Sequence, residues 1–232
     1  MSSPAVTVPT QGAPPARRLR GRTLLLLIVA LLVAIMVPAV VLPTLVWRKQ
    51  PPRLDDLGEL PAFSLTAQTG ARFGRDDLRG KVTIIDFVFT RCDTVCPVLS
   101  MKMRRIQEQT FDLGDRIKLV SISVDPGHDT PAVLTEYAKR FEADPTRWVF
   151  LTGDDAAVQH TVEDGLMNGY ENRGGTTETG APNIVHSGYF VLLDKDVHIR
   201  GFYDSNDPPR VEAMLGHARW LTRQPRRPAP GS

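Results

Sequence analysis

Between Thr23 and Trp47 the chain carries no charged residue. The run TLLLLIVALLVAIMVPAVVLPTLVW exceeds the roughly 20 apolar residues that cross a bilayer as a helix, the conformation in which a segment satisfies its own backbone amides. It is also longer than the roughly 7 to 15 apolar residues of a cleaved signal peptide. An uncleaved N-terminal transmembrane helix is therefore expected, with Pro38 and Pro43 kinking its second half. Arg17, Arg18, Arg20 and Arg22 precede the run, and Arg48, Lys49 and Arg53 follow it. The narrow basic excess on the N-terminal side places the short tail in the cytoplasm and Leu54 to Ser232 on the extracytoplasmic side.

The 232 residues leave room for one well-buried domain after such an anchor. The formal net charge of +2 hides two unlike parts. Seven basic and no acidic residues lie before Leu54, and three basic and no acidic residues follow Leu221; removing these ten from the 28 basic residues leaves 18 against 26 acidic, a net of −8. An acidic domain lacks the basic patch that nucleic-acid phosphates require, so nucleic acid is excluded as a partner. The Pro-, Ser- and Thr-rich start and the RQPRRPAPGS end have compositions that do not fold. The expected organisation is a disordered cytoplasmic tail (1–22), an anchor (23–47), a Pro-containing linker (48–60), a folded domain (61–222) and a disordered tail (223–232).

Within the domain, strand and helix patterns alternate. AFSLTAQTGARFG predicts a hairpin around Thr69 and Gly70, while KVTIIDFVFT, IKLVSISVD and RWVFLTG are β-branched apolar runs of the buried-strand kind. A helix is expected from about Cys96 to Thr110, another after the N-cap Thr130 with Pro131 at its first position, and a third over DAAVQHTVEDGLM. ENRGGTTETGAPNIV is expected as a long flexible loop with His186 opening the strand after it. SGYFVLLD and HIRGFYD form a hairpin across Lys195 and Asp196, and DPPRVEAMLGHARWLTR closes the domain as a helix. This alternation predicts an α/β sheet covered on both faces, with one antiparallel edge hairpin.

The only two cysteines, Cys92 and Cys96, sit where the first buried strand gives way to a helix. A four-residue spacing across that turn brings both sulfurs to one side. A structural disulfide would close a five-residue loop worth roughly 2 kcal/mol and tie together nothing distant. A thiol pair at a helix N-terminus, where the dipole favours a thiolate, suits redox exchange or soft-metal binding instead.

FVFTRCDTVCP, followed in order by SISVDPGHDTP and VHSGYFVLLDKDVHIRGFYD, resembles the Sco (SenC) copper-chaperone family, whose members are membrane-anchored, thioredoxin-like proteins serving cytochrome c oxidase assembly. The resemblance covers roughly Phe63 to Leu221. It implies a thioredoxin-like domain behind an N-terminal transmembrane helix, and copper ligands at Cys92, Cys96 and His186. Two thiolates and an imidazole give Cu(I) a soft three-coordinate site and can also hold Cu(II). Asp125, Pro126, Asp129, Thr130 and Pro131 match the family's second motif; from the residues alone they read as strand end, turn and helix cap. The chain departs from the pattern twice, with Asp93 where many members have Pro and Val185 where many have Asp. Neither change removes a ligand.

His160, His198 and His217 have no cysteine neighbour and are expected to be structural, whereas His128 in DPGHDTP should lie at the cysteine end of the sheet, because successive parallel strands end together. Met101 and Met103 offer soft sulfur, but their helical positions point to core packing or partner contact.

The resemblance implies a copper metallochaperone, not an enzyme, that passes copper by ligand exchange to the binuclear site of cytochrome c oxidase subunit II. It would need an upstream copper donor and a thioredoxin-like reductant, since oxidised cysteines offer no thiolates. The rival is a thiol-disulfide oxidoreductase acting on that same site, but the usual Cys-x-x-Cys spacing is absent. A peroxidase is weaker still, since neither cysteine has Thr three residues earlier. A copper or redox sensor would use the same ligands.

Overall fold

The computed structural model describes residues 21–47, 52–92, 95–166, 170–176, 182–186 and 188–226, and divides into two compact units, Met1–Pro51 and Pro52–Ser232. The first unit contains helix α1, Gly21–Trp47, of 27 residues. Its side chains are described over residues 25–40, where all are exposed. Among the described residues no helix is long and apolar enough to cross a membrane.

The second unit is built on a seven-stranded mixed sheet. Its strands are β1 (Ser64–Ala67), β2 (Arg72–Gly74), β3 (Val82–Val88), β4 (Ile117–Ser123), β5 (Trp148–Thr152), β8 (Tyr189–Leu193) and β9 (Ile199–Asp204), in the order β2-β1-β5-β4-β3-β8-β9. β6 (Tyr170–Thr176) and β7 (Pro182–His186) form a separate antiparallel pair. The helices are α2 (Val95–Gln109), α3 (Pro131–Arg140), α4 (Asp155–Gln159) and α5 (Pro208–Leu221).

The α/β, thioredoxin-like class expected from the sequence is the observed one. All seven residues of β3 are buried, as a strand covered on both faces requires. Alternate side chains serve two cores. Val82 and Ile84 join the helices α2, α3 and α5 through Leu99, Met103, Leu134 and Met214, while Ile85 and Phe87 join Leu60, Leu65 and Val158 on the other face. Thr130 caps α3 and Asp207 caps α5, each with Pro at the helix start.

The structure corrects the sequence reading in three places. The parallel core comprises only β3, β4 and β5, and both edges are antiparallel, because the β1–β2 hairpin pairs β5 as the β8–β9 hairpin pairs β3. The helix predicted over DAAVQHTVEDGLM keeps only five α-helical residues and continues as a π-wound turn, His160–Gly165. The loop expected before His186 contains β6 and β7, so His186 ends a strand instead of opening one. Within the stretch read as linker, Leu57 and Leu60 donate amide hydrogen bonds to Ile199 and Val197 and run along the β8–β9 hairpin.

Candidate metal centre

β3 ends at Val88 and the chain turns through Phe89–Cys92 into α2. Cys92 lies one residue past a turn in which its amide donates to the Phe89 carbonyl at 3.2 Å. Cys96 occupies the first turn of α2 and is fully buried, while Cys92 is half-buried. The Cys96 amide donates to Cys92 Sγ at 3.3 Å. An N-terminal helix amide aimed at a sulfur is the arrangement that suits a thiolate. The Cys96 thiol is pushed far above its ordinary value, first by its hydrogen bond to Cys92 and then by burial. No disulfide joins the two cysteines, and a metal ion that binds a thiol displaces its proton. Asp93 and Thr94 lie outside the described residues.

The turn carrying Cys92 is held from the neighbouring loop. β4 runs parallel to β3 with Ser123 opposite Val88, so the stretch after Ser123 arrives at the cysteine end of the sheet. Asp129 is fully buried there and accepts from the Thr90 amide at 3.0 Å, the Thr90 hydroxyl at 2.5 Å and the Ser123 hydroxyl at 2.6 Å. Asp125 accepts from Nε and Nη2 of Arg91 at 2.9 and 2.7 Å, and its carboxyl is pushed up by burial against the lowering effect of that guanidinium. Two carboxylates of the second motif thus grip the two residues that immediately precede Cys92. Sequence reasoning assigned Thr130 its cap correctly but missed these cross-loop roles; two acidic residues after a parallel strand, level with a Thr-Arg pair after its neighbour, were the available signal.

His128 lies at this end as expected, exposed, with Nδ1 3.1 Å from Asp129 Oδ1. Asp125, His128 and Asp129 bring one ligand atom each within 4.8 Å, but Arg91 and the two hydroxyls already occupy the carboxylates. Three other histidines have partners outside the cysteine turn. His160 meets Asp164, His198 meets Asp56, and His217 meets the Tyr203 hydroxyl. Met103 is buried in the core, whereas Met101 is 45% exposed.

His186 closes β7 opposite Tyr170; its imidazole lies outside the described side chains. The backbone that follows it is described from Gly188. The β3–β8 register pairs Ile85 with Val191, and continuing it three residues brings Gly188 level with Val88, at the cysteine end. Of the sequence-derived set, the described residues bring Cys92 and Cys96 together, and the chain enters β8 at Tyr189 shortly after His186.

Beneath the site, Asp86 of β3 is fully buried beside its register partner Ser121. Trp148 Nε1 donates to Ser121 Oγ at 2.9 Å, and that hydroxyl donates to Asp86 Oδ1 at 2.5 Å. Asp86 Oδ2 has no hydrogen-bond partner among the described residues, and burial pushes the carboxyl up to about 7.

The family model described as SCO1/SenC matches residues 54–221, nearly all of the second unit. The chain belongs to the SCO1/SenC family. Solved structures of relatives share the fold. A SCO1/SenC family lipoprotein from Bacillus anthracis is 29% identical, with a TM-score of 0.65 over 75% of this chain and 100% of that one. ScoI of Bradyrhizobium japonicum, solved with copper bound, is 27% identical with a TM-score of 0.60, covering 71% of this SCO1/SenC chain and 100% of its own. BsSco, described as having a disulfide switch and as a member of the Sco family of cytochrome c oxidase assembly proteins, is 25% identical with a TM-score of 0.59, covering 73% and 98%.

Proposed function

We propose that this SCO1/SenC member is a membrane-anchored copper metallochaperone. It binds copper through Cys92, Cys96 and His186 and delivers it by ligand exchange to the binuclear copper site of cytochrome c oxidase subunit II. The observation that carries the reading is the juxtaposition of two thiols at a helix start, with the Cys96 amide on Cys92 Sγ, on a turn clamped by Asp125 and Asp129. Two thiolates with an imidazole form a soft donor set that suits Cu(I) and accepts Cu(II). Loading displaces the thiol protons, so affinity rises with pH while the thiols remain protonated in the empty form. Exchange of ligands with an acceptor releases no covalent product, which separates this role from catalysis. The uncharged run over Thr23–Trp47 supports an anchor at 23–47, with the tail 1–22 cytoplasmic and the metal domain outside. Copper arrives from an upstream donor, and a thioredoxin-like reductant keeps the pair as thiols.

The test is an anaerobic copper titration of the reduced protein with X-ray absorption. One copper per chain with two sulfurs and one nitrogen is expected. A reduced protein that takes up no copper overturns the reading in favour of thiol-disulfide exchange, for which adjacent thiols suffice.

A further inference from the structure

α2 begins at the cysteines and turns an uncovered face outward. Leu99, Met103 and Ile106 enter the core, whereas Val98 and Met101, one turn apart, are 53% and 45% exposed. In the second unit the other large apolar side chains exposed among the described residues are Leu57, Phe111 and Tyr189. Val98 and Met101 lie two and five residues after Cys96 on α2, and Tyr189 starts β8, the strand paired with β3.

The charge on this face opposes that of the domain. Residues 54–221 hold 26 acidic and 18 basic groups, yet Lys102, Arg104 and Arg105 follow one another along α2. Arg104 is neutralised by Glu108 and Glu142. Arg105 is exposed and has no ion-pair partner among the described residues. Lys102 Nζ donates to the neutral Asn206 amide oxygen at 3.0 Å and has no ion-pair partner among the described residues. Asn206 Nδ2 in turn lies 3.6 Å from where a Cβ on Gly188 would stand, so this contact links α2 to the residue before β8.

We infer that Val98, Met101, Lys102 and Arg105 form the docking face for the copper acceptor, a protein domain whose own metal site sits in an apolar patch with an acidic rim. An apolar centre inside a charged rim is the anatomy of a specific transient interface. Met adapts to a partner's contour. A basic patch on an otherwise acidic domain attracts an acidic partner in one orientation and repels it in the others, which sets encounter rate and register. The inference rests on the chaperone reading above and adds which surface and which partner chemistry it uses.

The experiment uses the full chain in detergent, loaded with copper under anaerobic conditions, and the copper-free subunit II copper domain from the same organism as acceptor. Copper retention without acceptor is measured first, then the rate of transfer from the absorption of the filled binuclear site. Val98→Glu with Met101→Glu should retain copper as wild type does and transfer at least tenfold more slowly. Lys102→Glu with Arg105→Glu should slow transfer about tenfold at low salt, with the difference closing at high salt. Phe111→Glu, which changes an exposed apolar residue on another element, should transfer at the wild-type rate. If wild type transfers and both α2 variants match it, or if Phe111→Glu slows transfer as much as they do, the docking face is wrong and the chaperone reading stands. If wild type binds copper but passes none to the acceptor, the chaperone reading fails and the docking face fails with it.

Discussion

Replacing Asp86 by Asn should stabilise the folded domain above neutral pH and leave it slightly weaker in acid. The Asp86 carboxyl is fully buried and is raised from an ordinary value of 3.8 to about 7. A carboxyl raised in this way binds its proton more tightly folded than unfolded. Between about pH 4 and pH 7 the native state holds the extra proton, so stability falls as pH rises, and the loss is complete once both states are ionised. At about 1.4 kcal/mol for each pH unit, some three units cost about 4 kcal/mol. Asn removes that cost and still offers Oδ1 to the Ser121 hydroxyl. Its Nδ2 takes the place of an oxygen that has no partner among the described residues, and a buried unsatisfied donor costs about 1 to 3 kcal/mol. The net expectation is a gain of about 1 to 3 kcal/mol at pH 8 and a loss of at most about 2 kcal/mol at pH 4.5, where about 1 kcal/mol of the ionisation cost is already present. Urea unfolding of the fragment starting at Pro52, wild type and Asp86→Asn, at both pH values reads this directly. A stability difference between the two proteins that does not change with pH would refute the argument, because it would mean Asp86 carries no displaced proton.

Cys92→Ser or Cys96→Ser should each abolish tight Cu(I) binding while the reduced domain still folds, since no disulfide is lost; copper retention against a competing chelator and circular dichroism report the two halves. His186→Ala should weaken copper retention and oxidase assembly strongly yet leave Cys92 and Cys96 cycling between dithiol and disulfide; His160→Ala, whose imidazole meets Asp164, should change neither. Asp129→Ala strands the Thr90 amide and two hydroxyls and should cost about 2 to 4 kcal/mol in urea unfolding while loosening copper retention; unchanged copper affinity would show that the clamp does not position Cys92. A reporter fused after Ser232 should be active only outside the cytoplasm.

The central strands were legible because β3 is buried on both faces and its apolar run is nearly unbroken, and the cap at Thr130 followed from local chemistry. What eluded the sequence depends on partners far along the chain. The β1–β5 pairing joins Thr66 to Thr152, and no local pattern states which strand an edge hairpin will join. The π-wound turn at His160–Gly165 arises in a stretch whose periodicity reads as ordinary helix, with Gly165 packed against Leu60. The β6–β7 pair has the Gly- and Thr-rich composition of a loop, and composition prevailed. At the site, the cysteine spacing and the position of His128 were readable, since parallel neighbours end together. The grip of Asp129 on Thr90, 39 residues away, was not, because side-chain hydrogen bonds leave no periodic trace.

That grip bears on how such sites can be transplanted. Residues 90–96 contain both sulfurs, but the acceptors that hold Thr90 and Arg91 in place come from 125–129. A chimaera that receives the cysteine segment of a relative by itself inherits donor atoms without the frame that aims them. The two segments form one heritable cassette, and substitutions at Thr90 or Arg91 should be tolerated when Asp129 or Asp125 changes to match.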